Sequence, residues 1–171
     1  MGDQHYATWS TISTAGALML VSVLLLVTPI NFFGGWLPMP FLPLVLVFIY
    51  GLERPDSLPP QLTFGMGLLL DLLFGVGIGP WAAVFLLVHA AIIWQRSYFA
   101  GRDIVVLTTG FGVACLAAVL VYWIEMSILM GRMMPLFAIL GQGLMTVLAF
   151  PPALMLFRRW TGRRQRSSLV A

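Results

Sequence analysis

The sequence predicts an all-α integral membrane protein, a six-helix transmembrane bundle in one domain spanning 1–171. Three observations predict it. Of the 171 residues, 60% are hydrophobic and 9% are charged, with mean hydropathy +0.98. A soluble domain carries about 25% charged residues, so there is too little charge here to coat a water-facing surface. The apolar residues fall in long runs broken by proline, glycine and arginine. Finally, eight of the nine arginines fall on alternate breaks, the asymmetry that a chain crossing a bilayer repeatedly shows.

The first run, 12–28, ends at Pro29, Asn31, Gly34 and Gly35. The loop that follows has no charge but carries Phe32, Phe33 and Trp36, which suits an interfacial position. The amino terminus lacks the basic region of a signal peptide, so the first span is expected to be retained. The second run, 37–52, starts with Pro38, Pro40 and Pro43, and only 44–52 is clean. It reads as a short, broken or tilted helix packed against protein. A stiff polar loop follows, Glu53-Arg54-Pro55-Asp56 and then Pro59-Pro60. The third and fourth spans, 61–76 and 80–94, form a hairpin through an uncharged glycine-rich turn. After a polar stretch with Arg96 and Arg102, the fifth span covers 104–129. Arg132 lies in the next loop, and the sixth span covers 135–157 with Pro151-Pro152 inside it, where a kink is expected. A basic tail, 158–171, closes the chain with Arg158, Arg159, Arg163, Arg164 and Arg166.

Six crossings put Arg54, Arg96, Arg102 and the five tail arginines on one side and Arg132 alone on the other. The positive-inside rule makes the first side cytoplasmic, together with both termini. The tail is expected to be a topology anchor, with anionic lipid head groups as its sharper reading. It has no folded module for nucleic acid. Cys115 is the single cysteine, so an intramolecular disulfide and a two-cysteine metal motif are both excluded. No catalytic, cofactor-binding or metal-binding set stands out. The glycines at 75, 77 and 79 follow a helix rather than a strand, against a nucleotide loop.

Two ionisable residues in the hairpin need an explanation in hydrocarbon, Asp71 and His89. Thr63, Gly67, Asp71, Gly75 and Gly79 recur every fourth residue and so share one helix ridge, whose small members favour close packing. With the turn centred on Pro80, Asp71 and His89 are equally deep, which predicts a hydrogen-bonded Asp71–His89 pair near the midplane. Glu125, toward the outer end of the fifth span, is expected to meet Arg132 or Gln142 in an outer-side polar site. Structural polar glue is the favoured role of these groups, ahead of partner contact and of proton or ion transport. Trp36, Trp81, Trp94, Trp123 and Trp160 mostly lie near span ends, which fits an aromatic belt.

The hairpin also carries a resemblance. The stretch 50–60 followed by GMGLLLDLLFGVGIGPWA (65–82) resembles the MreD family, rod shape-determining membrane proteins of bacteria. The residues that carry it are Phe48 and Tyr50, Pro55, Gly67 with Asp71, Gly75 with Gly79, and Arg96. Trp123 with Glu125, and the Pro151 region with Arg158-Arg159, also look like the family. The specific part covers about a third of the chain. The amino tail without a basic residue and the mixed charges of 53–56 depart from the pattern. The resemblance implies a non-enzymatic, cofactor-free scaffold subunit of the cell-elongation machinery in the bacterial inner membrane. Its partners would be an MreC-like single-span protein, the actin-like MreB, the RodA glycan polymerase and its transpeptidase. The loops at Arg54 and Arg96–Arg102 would face cytoplasmic partners. It also implies a fold similar to the substrate-binding subunits of energy-coupling-factor vitamin transporters, which makes a vitamin-uptake subunit the alternative reading. The short, nearly unpolar outer loops weigh against capture of a polar vitamin.

Overall fold

A computed structural model describes residues 3–28, 39–75, 77, 79–133 and 136–167, with side chains described for 11–28, 39–75, 77, 79–133, 137 and 139–161. The regular elements among them are helical: α1 (Asp3–Val27), α2 (Leu42–Glu53), α3 (Pro60–Phe74), α4 (Pro80–Phe99), α5 (Ile104–Met130) and α6 (Leu136–Ser167), with a 3-10 turn at Pro55–Ser57. Among the residues whose side chains are described, three segments are long and apolar enough to cross a membrane: Pro80–Phe99, Ile104–Met130 and Ile139–Thr161. Thr11–Val27, Leu42–Glu53 and Pro60–Phe74 are shorter apolar helices.

Contacts fix the helix directions. Phe41 stacks on Trp81 at 4.2 Å, and a side chain at Gly51 would meet Ile92, so α2 and α4 run parallel. The Phe41 N–H donates to Thr146 Oγ1, and Arg158 pairs with Glu53, so α6 runs the same way. Trp81 stacks on Tyr122 and Phe99 lies against Gly110, so α5 runs antiparallel to α4. The bundle therefore has a turn end, with the α3–α4 turn and the α5–α6 loop, and an arginine end, with Arg54, Arg96, Arg102 and Arg158.

The short second segment is the core. At 12 residues α2 is about 18 Å long, well short of a bilayer's hydrocarbon thickness of about 30 Å. Nine of its residues are buried, from Pro43 to Leu52. A helix apolar all round is one surrounded by protein. Phe48 is its centre. It meets Phe99 of α4, Phe111 of α5 and Phe150 of α6 at 6.2, 5.1 and 5.3 Å, mostly edge to face. Phe111 and Phe150 stack on each other at 4.4 Å. Offset-stacked and edge-to-face pairs are the favoured aromatic geometries, so one ring from each of four helices locks their relative positions.

Several sequence boundaries move. In the run 37–52 the described residues before Leu42 are not helical: an earlier start would need the N–H that Pro43 lacks, and Pro43 is tolerated in the first turn. Residues 29–38, with Phe32, Phe33 and Trp36, lie outside the described residues. The fourth helix continues to Phe99, so Arg96 stands on its last turn rather than in a loop. The sixth passes through Pro151 and Pro152 and runs on to Ser167, so most of the expected tail is helical. The side chains of Arg163, Arg164 and Arg166 are outside the described set.

Candidate functional site

The polar residues of the α3–α4 hairpin form two separate devices. The first is built on Asp71, which is 1% exposed and lies in the last turn of α3. An α-helix begins with N–H groups that its own turns cannot satisfy. In α4 the first helical residue is Pro80, which has no N–H. The remaining early donors all converge on one carboxylate. Gly79 N–H donates to Asp71 Oδ2 at 3.0 Å, Trp81 N–H to Oδ1 at 2.9 Å, and Ala82 N–H to Oδ2 at 3.3 Å. Asp71 thus caps the next helix across the turn, and its charge faces the positive end of that helix's dipole.

The chain is shaped to allow this. Gly75 closes α3 at φ 63°, the left-handed conformation that glycine adopts without steric cost, and Gly79 enters α4 at φ 128°. Gly67 brings the helices together. A Cβ there would sit 2.5 Å from Ala82 Cα and 2.8 Å from the Trp81 carbonyl oxygen. The expected small-residue ridge is therefore a packing ridge at Thr63, Gly67 and Asp71 only. Around Gly75 and Gly79 nothing lies within 4 Å of where a Cβ would be, and these two serve the backbone path instead.

The second device is Thr63 with His89. Both are buried, and Thr63 Oγ1 lies 3.1 Å from His89 Nδ1. The same hydroxyl is 3.4 Å from the Pro59 carbonyl. It has one proton, so it either donates to Nδ1 or accepts from it while donating to Pro59. The expected Asp71–His89 pair is overturned: each residue takes a different partner. The pairs Asp71–Trp81 and Thr63–His89 share one hairpin register, centred on residue 76 and not on Pro80. His89 is eight residues past Trp81, about 12 Å farther along α4.

The outer-side polar site is also not assembled. Glu125 lines a recess with Gly79, Pro80 and Ala83, Gln142 lines a separate small cavity, and Arg132 is exposed beyond the end of α5. No hydrogen bond or ion pair joins the three among the described residues. The reason is helical phase. Glu125 faces the recess at the first turn of α4, whereas Gln142 faces the cavity that Trp81 and Tyr122 close. Asp71 and Glu125 instead flank the same first turn of α4. Glu125 Oε2 is buried there without a hydrogen-bond partner among the described residues.

No protein-family model, no curated protein and no solved structure matches this chain. Among the described residues no three His, Cys, Asp or Glu side chains are grouped as a metal site.

Sequence reasoning missed the packing around Trp81. It is not a belt residue. Its ring lies between Phe41 and Tyr122, at 4.2 and 4.1 Å. Together with Gln142 and Thr146 these rings close a cavity of only about 20 Å³ at the turn end. Trp94, 84% exposed, does stand where a belt residue should. The reading of the arginines missed their convergence. Arg54, Arg96 and Arg158 line one cleft of about 620 Å³ at the arginine end. Arg158 Nε and Nη2 donate to Glu53 Oε1 at 2.9 and 2.7 Å across the α2–α6 junction. Arg102 extends instead over the Tyr98 ring, 5.2 Å from its centroid. Arg159 is exposed.

Proposed function

We propose that this chain is an MreD-like, non-enzymatic scaffold subunit of a bacterial cell-elongation complex. It sits in the inner membrane as six crossings, with the arginine end and both termini cytoplasmic. The observation that carries the reading is how the polar residues of the α3–α4 hairpin are used. Asp71 spends both oxygens on capping α4, His89 is joined to Thr63, and among the described residues the cavity behind Trp81 at the turn end is about 20 Å³. That is room for about one water and far below the roughly 300 Å³ or more of a small-molecule site. Groups spent on holding helices together suit a rigid platform for partner helices better than a ligand-binding cup. The partners are an MreC-like single-span protein and, through it or directly, MreB, RodA and its transpeptidase.

A vitamin-uptake subunit shares the six-helix layout and makes the opposite prediction on depletion. Loss of the scaffold rounds and lyses rod-shaped cells while vitamin uptake per cell is kept. Normal rods with impaired uptake would reject the scaffold in favour of the transporter subunit. Co-purification with an MreC-like protein is the second arm: Asp71→Asn, by loosening the hairpin, reduces its yield relative to the wild type at equal membrane abundance.

A further inference from the structure

We propose that the cleft at the arginine end is a binding site for the phosphate head group of an anionic phospholipid. Its walls come from three helices. Arg54 caps the C-terminal end of α2, Arg96 is on the last turn of α4, and Arg158 is on α6. Neither Arg54 nor Arg96 has an ion pair or side-chain hydrogen bond to a described residue. Among the described residues Glu53 is the one acid lining the cleft, and it is engaged by Arg158, so the described lining carries two net positive charges. Asp56 lies in an adjoining cavity of about 330 Å³ that shares Arg54 and Arg96.

Charge alone would suit any anion. The floor and the surroundings narrow the choice. Leu52, Phe99 and Phe157 give the cleft an apolar floor, which suits a glycerol backbone and the first methylenes of acyl chains. Trp94, Tyr98 and Trp160 stand exposed on the same ends of α4 and α6, and tryptophan and tyrosine at that position mark the head-group level of a bilayer. A basic pocket between helix ends at that depth meets lipid phosphates directly. Guanidinium groups bind phosphate through charge-assisted hydrogen bonds, and the fixed Arg158 supplies one such group already oriented by Glu53. The inference rests on the proposed orientation only for the leaflet. It is independent of the scaffold role, and the test below reads lipid binding in micelles.

The experiment is native mass spectrometry of the full chain, stripped of lipid in a neutral detergent. It is titrated with phosphatidylglycerol or with phosphatidylcholine of the same acyl composition. Phosphatidylglycerol is retained and phosphatidylcholine is not. Arg54→Gln with Arg96→Gln weakens phosphatidylglycerol retention by about tenfold or more, since each charge-assisted bond is worth at least that factor, whereas Arg159→Gln with Arg163→Gln, Arg164→Gln and Arg166→Gln changes it by less than about twofold. The lysine pair, Arg54→Lys with Arg96→Lys, retains most of the binding, which separates lost charge from lost fold. Equal retention of the two lipids overturns the proposal, and so does loss with the tail variant but not with the cleft variant. Displacement of the lipid by micromolar glycerol phosphate would assign the cleft to a soluble phosphate ester and overturn the lipid assignment. Indifference to it up to millimolar concentration supports the lipid.

Discussion

Asp71 shows how far one side chain constrains the hairpin. Its two oxygens accept three backbone N–H groups that would otherwise be unpaired at a buried helix start. Asparagine keeps one acceptor oxygen, loses the charge, and turns an NH₂ toward N–H donors. With charge-assisted hydrogen bonds contributing about 1.5–3 kcal/mol each, Asp71→Asn should destabilise the protein by about 2–3 kcal/mol, read as a lower midpoint of unfolding in detergent. The histidine makes a separate prediction. A double-mutant cycle on Thr63→Ala and His89→Ala should give a coupling of about 0.6–1.7 kcal/mol, the range of interhelical hydrogen bonds in membranes. The cycle on Asp71→Asn and His89→Ala should be additive within about 0.5 kcal/mol, as for sites without shared partners. Coupling in the second cycle with none in the first would restore the direct pair and undo the register described above.

Between helices, closeness depends on which glycine is involved. Gly67 lies where a methyl group would meet the backbone of α4, and Gly65, on the same helix, has nothing within 4 Å. Gly67→Ala should therefore force α3 and α4 apart at a cost of about 1–3 kcal/mol, the usual penalty of overpacking. Gly65→Ala should be neutral or stabilising by up to about 1 kcal/mol, because alanine is the better helix former. Thermal unfolding of the two variants in one detergent tests the contrast, and equal effects would mean that Gly67 is not a contact point. The four-residue spacing made the Gly67–Asp71 ridge legible in the sequence, together with the apolar helices and the glycine turn. The register was not legible. Apolar periodicity does not mark where α3 stops, and an acid seemingly at mid-span proved to be a cap in its last turn. The centrality of α2 was hidden for a related reason. Its prolines and its length argued for a marginal segment, whereas a short helix apolar all round is what the middle of a bundle requires. The cleft of Arg54, Arg96 and Arg158 depends on helix directions and on α4 running five residues past Trp94, and the sequence displays neither directly.

At the scale of the whole molecule, charge distribution and fold make the same division. Helix directions fixed by contacts alone put Arg54, Arg96, Arg102 and Arg158 at one end, and Arg132 lies beyond α5 at the other. The packing that yields this division involves none of these arginines except Arg158, so the agreement with the alternating pattern in the sequence is not built in. Basic residues close to span ends are held on the cytoplasmic side. The arginine end should accordingly face the cytoplasm. Single cysteines test this in a Cys115→Ser background, since the native thiol is buried and contributes little labelling of its own. Met133→Cys, at an 85% exposed position in the α5–α6 loop, should react with a membrane-impermeant maleimide in intact spheroplasts. Arg102→Cys, at an exposed position between α4 and α5, should react only after permeabilisation. Reaction of both in intact spheroplasts would mean that α5 does not cross. The reverse pattern would place the arginine cleft on the outer face, where its lipid phosphates would be those of the other leaflet.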